Sequence, residues 1–119
     1  MIYIFFLSRI LFGGYFVWNG FNHFKKLNSM AGYAAMKRVP MPKLAVAVSG
    51  LLAILGGLGI ILGLYVFFAV LALVIFLVPV TFKMHAFWNE TDPNAKRMEH
   101  IQFTKNLALL GGALAYLFI

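Results

Sequence analysis

A chain of 119 residues with 63% hydrophobic and 11% charged positions departs from soluble domains, which average about 45–50% apolar and about 25% charged. Four helices of about 20 residues and two loops of similar length exhaust it, leaving no room for a separate soluble catalytic domain. The excess of 10 Lys+Arg over 3 Asp+Glu gives a net charge of +7; because these residues flank long apolar runs, the expected counter-charge is anionic lipid rather than nucleic acid.

The fold expected is all-α: a single domain, 1–119, forming an integral membrane bundle of four transmembrane helices in up-down-up-down order. The first apolar run, 2–22, lacks a basic leader, is long for a signal peptide and carries Arg9 inside it, so it reads as a retained helix. A polar loop follows at 23–43. Pro40 and Pro42 lead into the second helix, 44–64, as suits a residue with no N–H to leave unpaired. The third, 65–82, is separated from the second only by the turn Gly63-Leu64-Tyr65, so the two are antiparallel neighbours. Pro79 removes a backbone donor near its end, and a kink there would widen the mouth of the bundle. After a second polar loop, 83–101, the fourth helix is expected at 102–119.

The two polar loops, with the helix ends beside them, hold nine of the ten basic residues, all three acids and His23, His85 and His100. The positive-inside rule makes this face cytoplasmic and both termini external, in the cell inner membrane. Tyr3, Tyr65 and Tyr116 mark the bare interface, and Trp18 and Trp88 the charged one. Small residues at Gly56, Gly59, Gly63 and at Ala108, Gly111, Gly112, Ala115 predict close helix packing, favoured over a homodimer seam.

Arg9 lies roughly 10–12 Å from the helix start at 1.5 Å per residue. Burial of arginine centrally in a bilayer costs about 2.5–3.5 kcal/mol even on lenient scales, and Gly13, Phe16 and Gly20 share its face, so it is expected to point inward. No carboxylate side chain lies in the four spans. Its candidate partners are Tyr3, Tyr116, the Ile119 carboxylate, a lipid phosphate or an anionic ligand; the competing reading is that it snorkels to headgroups. A second polar set gathers at the charged face: Asn19 and His23 on the first helix, Thr81, Lys83 and His85 on the third, and Gln102, Lys105 and Asn106 on the fourth. Spacings of four align Asn19 with His23 and Gln102 with Asn106. Together they would form a shallow pocket suited to a quinone head, a small oxyanion or a lipid phosphate; interfacial anchoring is the simpler role for each residue alone. The histidine spacing matches no compact ligand motif, so no metal is expected. With no cysteine, there is no thiolate ligand or nucleophile, and no catalytic constellation is evident: redox chemistry would need a bound cofactor or a partner.

GFNHFKKLN, VPMPK, LLAILGGLGIILGL and above all MHAFWNETDP followed by IQFTKNLALLGGAL resemble the DoxX family of small four-helix membrane proteins, over nearly the whole chain. The family is similar to DoxD-type subunits of thiosulfate:quinone oxidoreductase and, distantly, to surfeit-type cargo receptors. The resemblance points to Arg9, Asn19, His23, His85, Trp88, Lys105 and Asn106 as ligand-binding candidates. It departs at Ala53, where many members carry an acid that would be the natural partner of Arg9. The implied function is an accessory or structural subunit among other membrane subunits, with a quinone or lipid pocket. The alternatives are a quinone-linked subunit acting on sulfur oxyanions and a lipid-handling or protein-export accessory.

Overall fold

The computed structural model describes residues 1–118 as an all-helical chain, 46 × 27 × 19 Å in extent. Five α-helices follow one another: α1 (Ile2–Lys25), α2 (Leu27–Met36), α3 (Pro42–Leu62), α4 (Val66–Pro79) and α5 (Pro93–Ala115). Beyond α4 the chain runs through a π-helical turn, Val80–Met84, and a short 3-10 turn, Phe87–Asn89; a final 3-10 turn, Tyr116–Phe118, follows α5. The Ile119 carboxylate, one candidate partner for Arg9, lies outside the described residues.

Three helical stretches are long and apolar enough to cross a membrane: Ile2–Lys25, Pro42–Leu62 and Val66–Asn89. The expected fourth helix begins nine residues before 102, at Pro93, where the Asp92 side chain accepts from the Ala95 N–H at 3.0 Å and proline occupies the first turn. Lys96, Arg97, Glu99 and His100 therefore belong to α5, which makes its first half polar. The loop expected at 23–43 is also corrected. Leu27, Met30, Ala31 and Ala34 recur at helical spacing, and α2 buries Ala31 and Ala34 in a small cluster with Val46 of α3. Met30, Val39 and Met84 pack around that cluster.

The α3–α4 turn forms as expected. Gly63 ends α3 in the left-handed region, φ 67°, where a side chain would be strained. α1 runs antiparallel to α3 at glycine-limited distance. A Cβ on Gly13 would fall 2.5 Å from the Gly57 carbonyl oxygen, and one on Gly20 2.5 Å from that of Gly50. α3 turns a second small face to α4, where a Cβ on Gly59 would meet Ala69 Cβ at 2.5 Å and one on Gly56 would meet Leu73. Lipid tails offer no water-exclusion gain for helix association, so backbone approach of this kind carries the packing. The core between these helices holds Phe16, Ala53, Ile60, Leu73, Phe76 and Leu77, with Ala113 and Tyr116 joining from the C-terminal end.

Helix α5 departs from expectation. Ala108, Gly111 and Ala115 face outward, and nothing lies within 4 Å of a Cβ placed on Gly111; only Gly112 is tight, against Phe12. Large apolar side chains remain exposed around the outer surface, among them Ile4 and Leu11 on α1, Leu55 on α3, Phe68 on α4 and Leu107 on α5. A monomer in water rarely presents so continuous an apolar surface. Tyr3, Tyr65, Trp18 and Trp88 are exposed, as interfacial residues should be, whereas Tyr116 is buried and shares a 2.6 Å hydrogen bond with Ser8 Oγ.

Candidate functional site

At the end where the charged segments meet, the helices frame a half-open cavity of about 520 Å³. Its apolar wall comes from Val46 and Leu52 of α3 and from Ile75, Phe76, Leu77 and Pro79 of α4. Its polar wall comes from Asn19 and His23 of α1, Lys83 and His85 beyond α4, and Gln102, Lys105 and Asn106 of α5. The structure thus brings together seven of the polar residues expected to meet there. Thr81, the eighth, is buried and does not line the cavity.

Local structure sets these positions. The missing N–H of Pro79 breaks the regular ladder, and the chain widens into the π turn Val80–Met84. Val80, Lys83 and Met84 of this turn line the cavity with Pro79 itself. His23 Nδ1 donates to the Asn19 carbonyl oxygen at 2.8 Å, the carbonyl being able only to accept. The neutral ring keeps Nε2 as an acceptor, and it packs edge-on against Phe76, centroids 5.6 Å apart. Lys105 Nζ donates to Tyr15 Oη at 3.0 Å, closing α5 against α1.

A polar cluster lies beside the cavity and ties together the two segments expected to be loops. Lys37 Nζ meets Glu90 Oε1 at 2.5 Å and Glu99 Oε2 at 2.9 Å; Tyr33 Oη donates to Glu99 Oε2 at 2.6 Å; His85 Nδ1 stands 3.4 Å from Glu99 Oε1. Burial works against the Glu99 charge, but hydrogen bonds from Tyr33 and Lys37 and the proximity of His85 outweigh it and hold the carboxyl below its usual pKa. Burial likewise opposes the Lys37 charge, and the hydrogen bonds to Glu90 and Glu99 raise its pKa in spite of it. The Tyr33 phenol is pushed up to about 12 by burial and by its bond to the Glu99 carboxylate. Tyr33 also lines the cavity. The Leu27/Met30/Ala31/Ala34 spacing that marks α2 was the available signal for Tyr33 and Lys37; pairing of Glu99 with either had none.

Two candidates fall elsewhere. Trp88 packs with Phe87 and Phe103, ring centroids 5.2 and 5.6 Å away, in an aromatic group that also takes in His100 and fastens the 3-10 turn to α5. Arg9 sits toward the opposite end. Its Nη1 lies 3.4 Å from the Ile60 carbonyl oxygen, its guanidinium carbon lies 4.5 Å from the Phe5 ring centroid and it presses on Gly63, while among the described residues its buried Nε has no hydrogen-bond partner. Neither Tyr3 nor Tyr116 bonds it among the described residues. Ala53 is fully buried seven residues before Ile60, about 10 Å along the α3 axis. An acid there would not face Arg9 directly. Among the described residues no three His, Asp or Glu side chains converge as a metal-binding group.

A small all-helical membrane protein with three membrane-length apolar stretches and a half-open, mostly apolar cavity is what these features define. The DoxX family profile matches residues 4–86, more than two thirds of the chain, and the protein belongs to the DoxX family. The matched span takes in α1 to the π turn and ends just beyond His85, so the α5 part of the motif lies outside it. No curated protein and no solved structure matches the chain.

Proposed function

We propose that the protein is an accessory subunit of a larger complex in the cell inner membrane, and that its cavity holds the head and first tail segment of a membrane amphiphile, a quinone or a lipid. The observation that carries this reading is the cavity itself. Its volume of about 520 Å³ lies within the roughly 300–1,000 Å³ of small-molecule sites, and its apolar wall on α3 and α4 faces amide, imidazole and ammonium groups on the other elements. A polar head would lie among Asn19, His23, His85, Lys105 and Asn106, and a hydrocarbon tail along Leu52, Ile75 and Phe76.

The accessory role follows from what the chain can carry. Without cysteine, electrons can pass only on a bound group or through a partner subunit. In this reading the apolar half of α5 is a fourth span, the four long helices alternate in direction, the charged end is cytoplasmic and both termini are external. Arg9 would then stand in the outer half of the bilayer, where a lipid phosphate or another anion can meet its half-buried guanidinium.

Gentle detergent extraction followed by native mass spectrometry tests the proposal. The expected result is a retained amphiphile together with a co-purifying polypeptide, and loss of the amphiphile in Ser49→Phe, which projects a ring into the cavity from its α3 wall. A bare, lone monomer would overturn it. Quinone reduction by a sulfur donor with the purified protein alone would favour the sulfur-oxyanion alternative.

A further inference from the structure

The charges at the polar end of the cavity discriminate between a neutral and an anionic occupant. Lys83 and Lys105 line it from two different elements. Lys105 engages a neutral acceptor, Tyr15 Oη. Among the described residues the ion pairs are confined to Lys37, His85, Glu90 and Glu99, and Asp92 is occupied at the N-terminus of α5. Among the described residues, neither cavity lysine therefore has a carboxylate partner. Lys37, Glu90 and Glu99 sum to one negative charge, so with both cavity lysines the mouth keeps a net positive charge whether or not His85 is protonated.

The neutral groups beside them fit the same ligand. Asn19, Gln102 and Asn106 bring amide N–H donors to the wall. Two ammonium groups and several amide donors with no free carboxylate form a receptor for a multi-oxygen anion. A quinone carbonyl needs one donor at a time and draws little on a net charge. Both lysines are exposed, so they stay hydrated until a head arrives and attract it at short range. Anionic lipids are concentrated in the cytoplasmic leaflet, the one to which this end belongs in the topology proposed above.

We infer that the occupant carries a net-anionic phosphate head, held by Lys83 and Lys105 with amide support, on an apolar tail that lies along α3 and α4; a net-neutral head, whether a quinone or a zwitterionic lipid, is the weaker ligand. This rests on the cavity reading above and narrows it to one ligand class.

The test uses the full chain in a neutral detergent with four probes: a short-chain phosphatidic acid, a phosphatidylcholine with the same chains, decyl-ubiquinone and inorganic phosphate. Phosphatidic acid should bind at least tenfold tighter than either neutral amphiphile, with an affinity that falls as salt rises. The K83Q/K105Q variant should lose that preference and K83R/K105R keep it. Helicity by circular dichroism confirms that each variant folds; should the double glutamine variant fail to, K105Q alone is expected to lose roughly threefold. Equal binding of the three amphiphiles, or a preference untouched by the glutamine changes, overturns the headgroup assignment and leaves the cavity reading standing. Binding of none of the three overturns both. Inorganic phosphate competing at the same concentration as the lipid assigns the site to the free anion and overturns the amphiphile.

Discussion

Glu99 binds groups from α2, from the cap that ends it and from the segment beyond the π turn, so one carboxylate joins elements far apart in the chain. Its pKa is lowered from a reference of 4.5. A group depressed in the folded state contributes stability that is complete above its unfolded pKa and is lost as pH falls through the folded value. Tyr33 and Lys37 are raised, so their contributions are complete below their unfolded values and are lost as pH climbs through the folded ones, about 12 for Tyr33. The cluster should therefore hold α2 from about pH 5 to about pH 10, with the acid-side loss below the Glu99 reference. Hydrogen exchange of the α2 amides reads this directly. Glu99→Gln is expected to raise exchange at neutral pH, at a cost of about 1.5–3 kcal/mol for a hydrogen-bonded charge, and to flatten the acid step. Unchanged α2 protection in that variant would show that the cluster does not hold the helix.

The glycines of α3 divide between two neighbours, Gly50 and Gly57 toward α1 and Gly56 and Gly59 toward α4. In Gly57→Val the new side chain meets the Gly13 carbonyl oxygen, which belongs to a backbone that cannot step aside alone. Overpacking of this kind costs about 1–3 kcal/mol, so the detergent melting point should fall clearly. Gly111 is the contrast. Open space surrounds its Cβ position, and a helical Gly→Ala change in such a place gains up to about 1 kcal/mol through propensity. A melting point for Gly111→Ala that is unchanged or raised is expected; a fall as large as that of Gly57→Val would show the outer face of α5 to be packed. Small residues thus mark both a packed seam and a bare face, and spacing alone does not distinguish them.

At the scale of the molecule, charge and apolar surface are arranged along one axis. The Lys37–Glu90 and Lys37–Glu99 pairs fasten the two charged segments to each other at one end, while Tyr65 and the Arg9 neighbourhood mark the other. The absence of cysteine makes sidedness simple to measure, because a single introduced thiol is the only one present. Cysteine at Lys96 should label from the cytoplasmic side and cysteine at Tyr65 from the outside, in inverted and intact vesicles respectively. Both thiols labelling from the same side would overturn the proposed topology.

Long apolar runs, the Gly63 turn, the proline that opens α3 and the convergence of polar residues at one end were all legible in the chain, because each depends on composition or on neighbours a few positions apart. The start of α5 was not, since its first turns are polar and only the Asp92 cap and Pro93 signal them. Nor was α2, a ten-residue helix whose apolar spacing gains its meaning from Val46 across the gap. Pairing of Glu99 with Tyr33 and Lys37, the contacts of Arg9 with Ile60 and Phe5, the seat of Trp88 outside the cavity and the outward turn of Gly111 depend on how helices rotate about their axes. That rotation follows from which backbone surfaces approach most closely, a property of the packed bundle and not of any single segment.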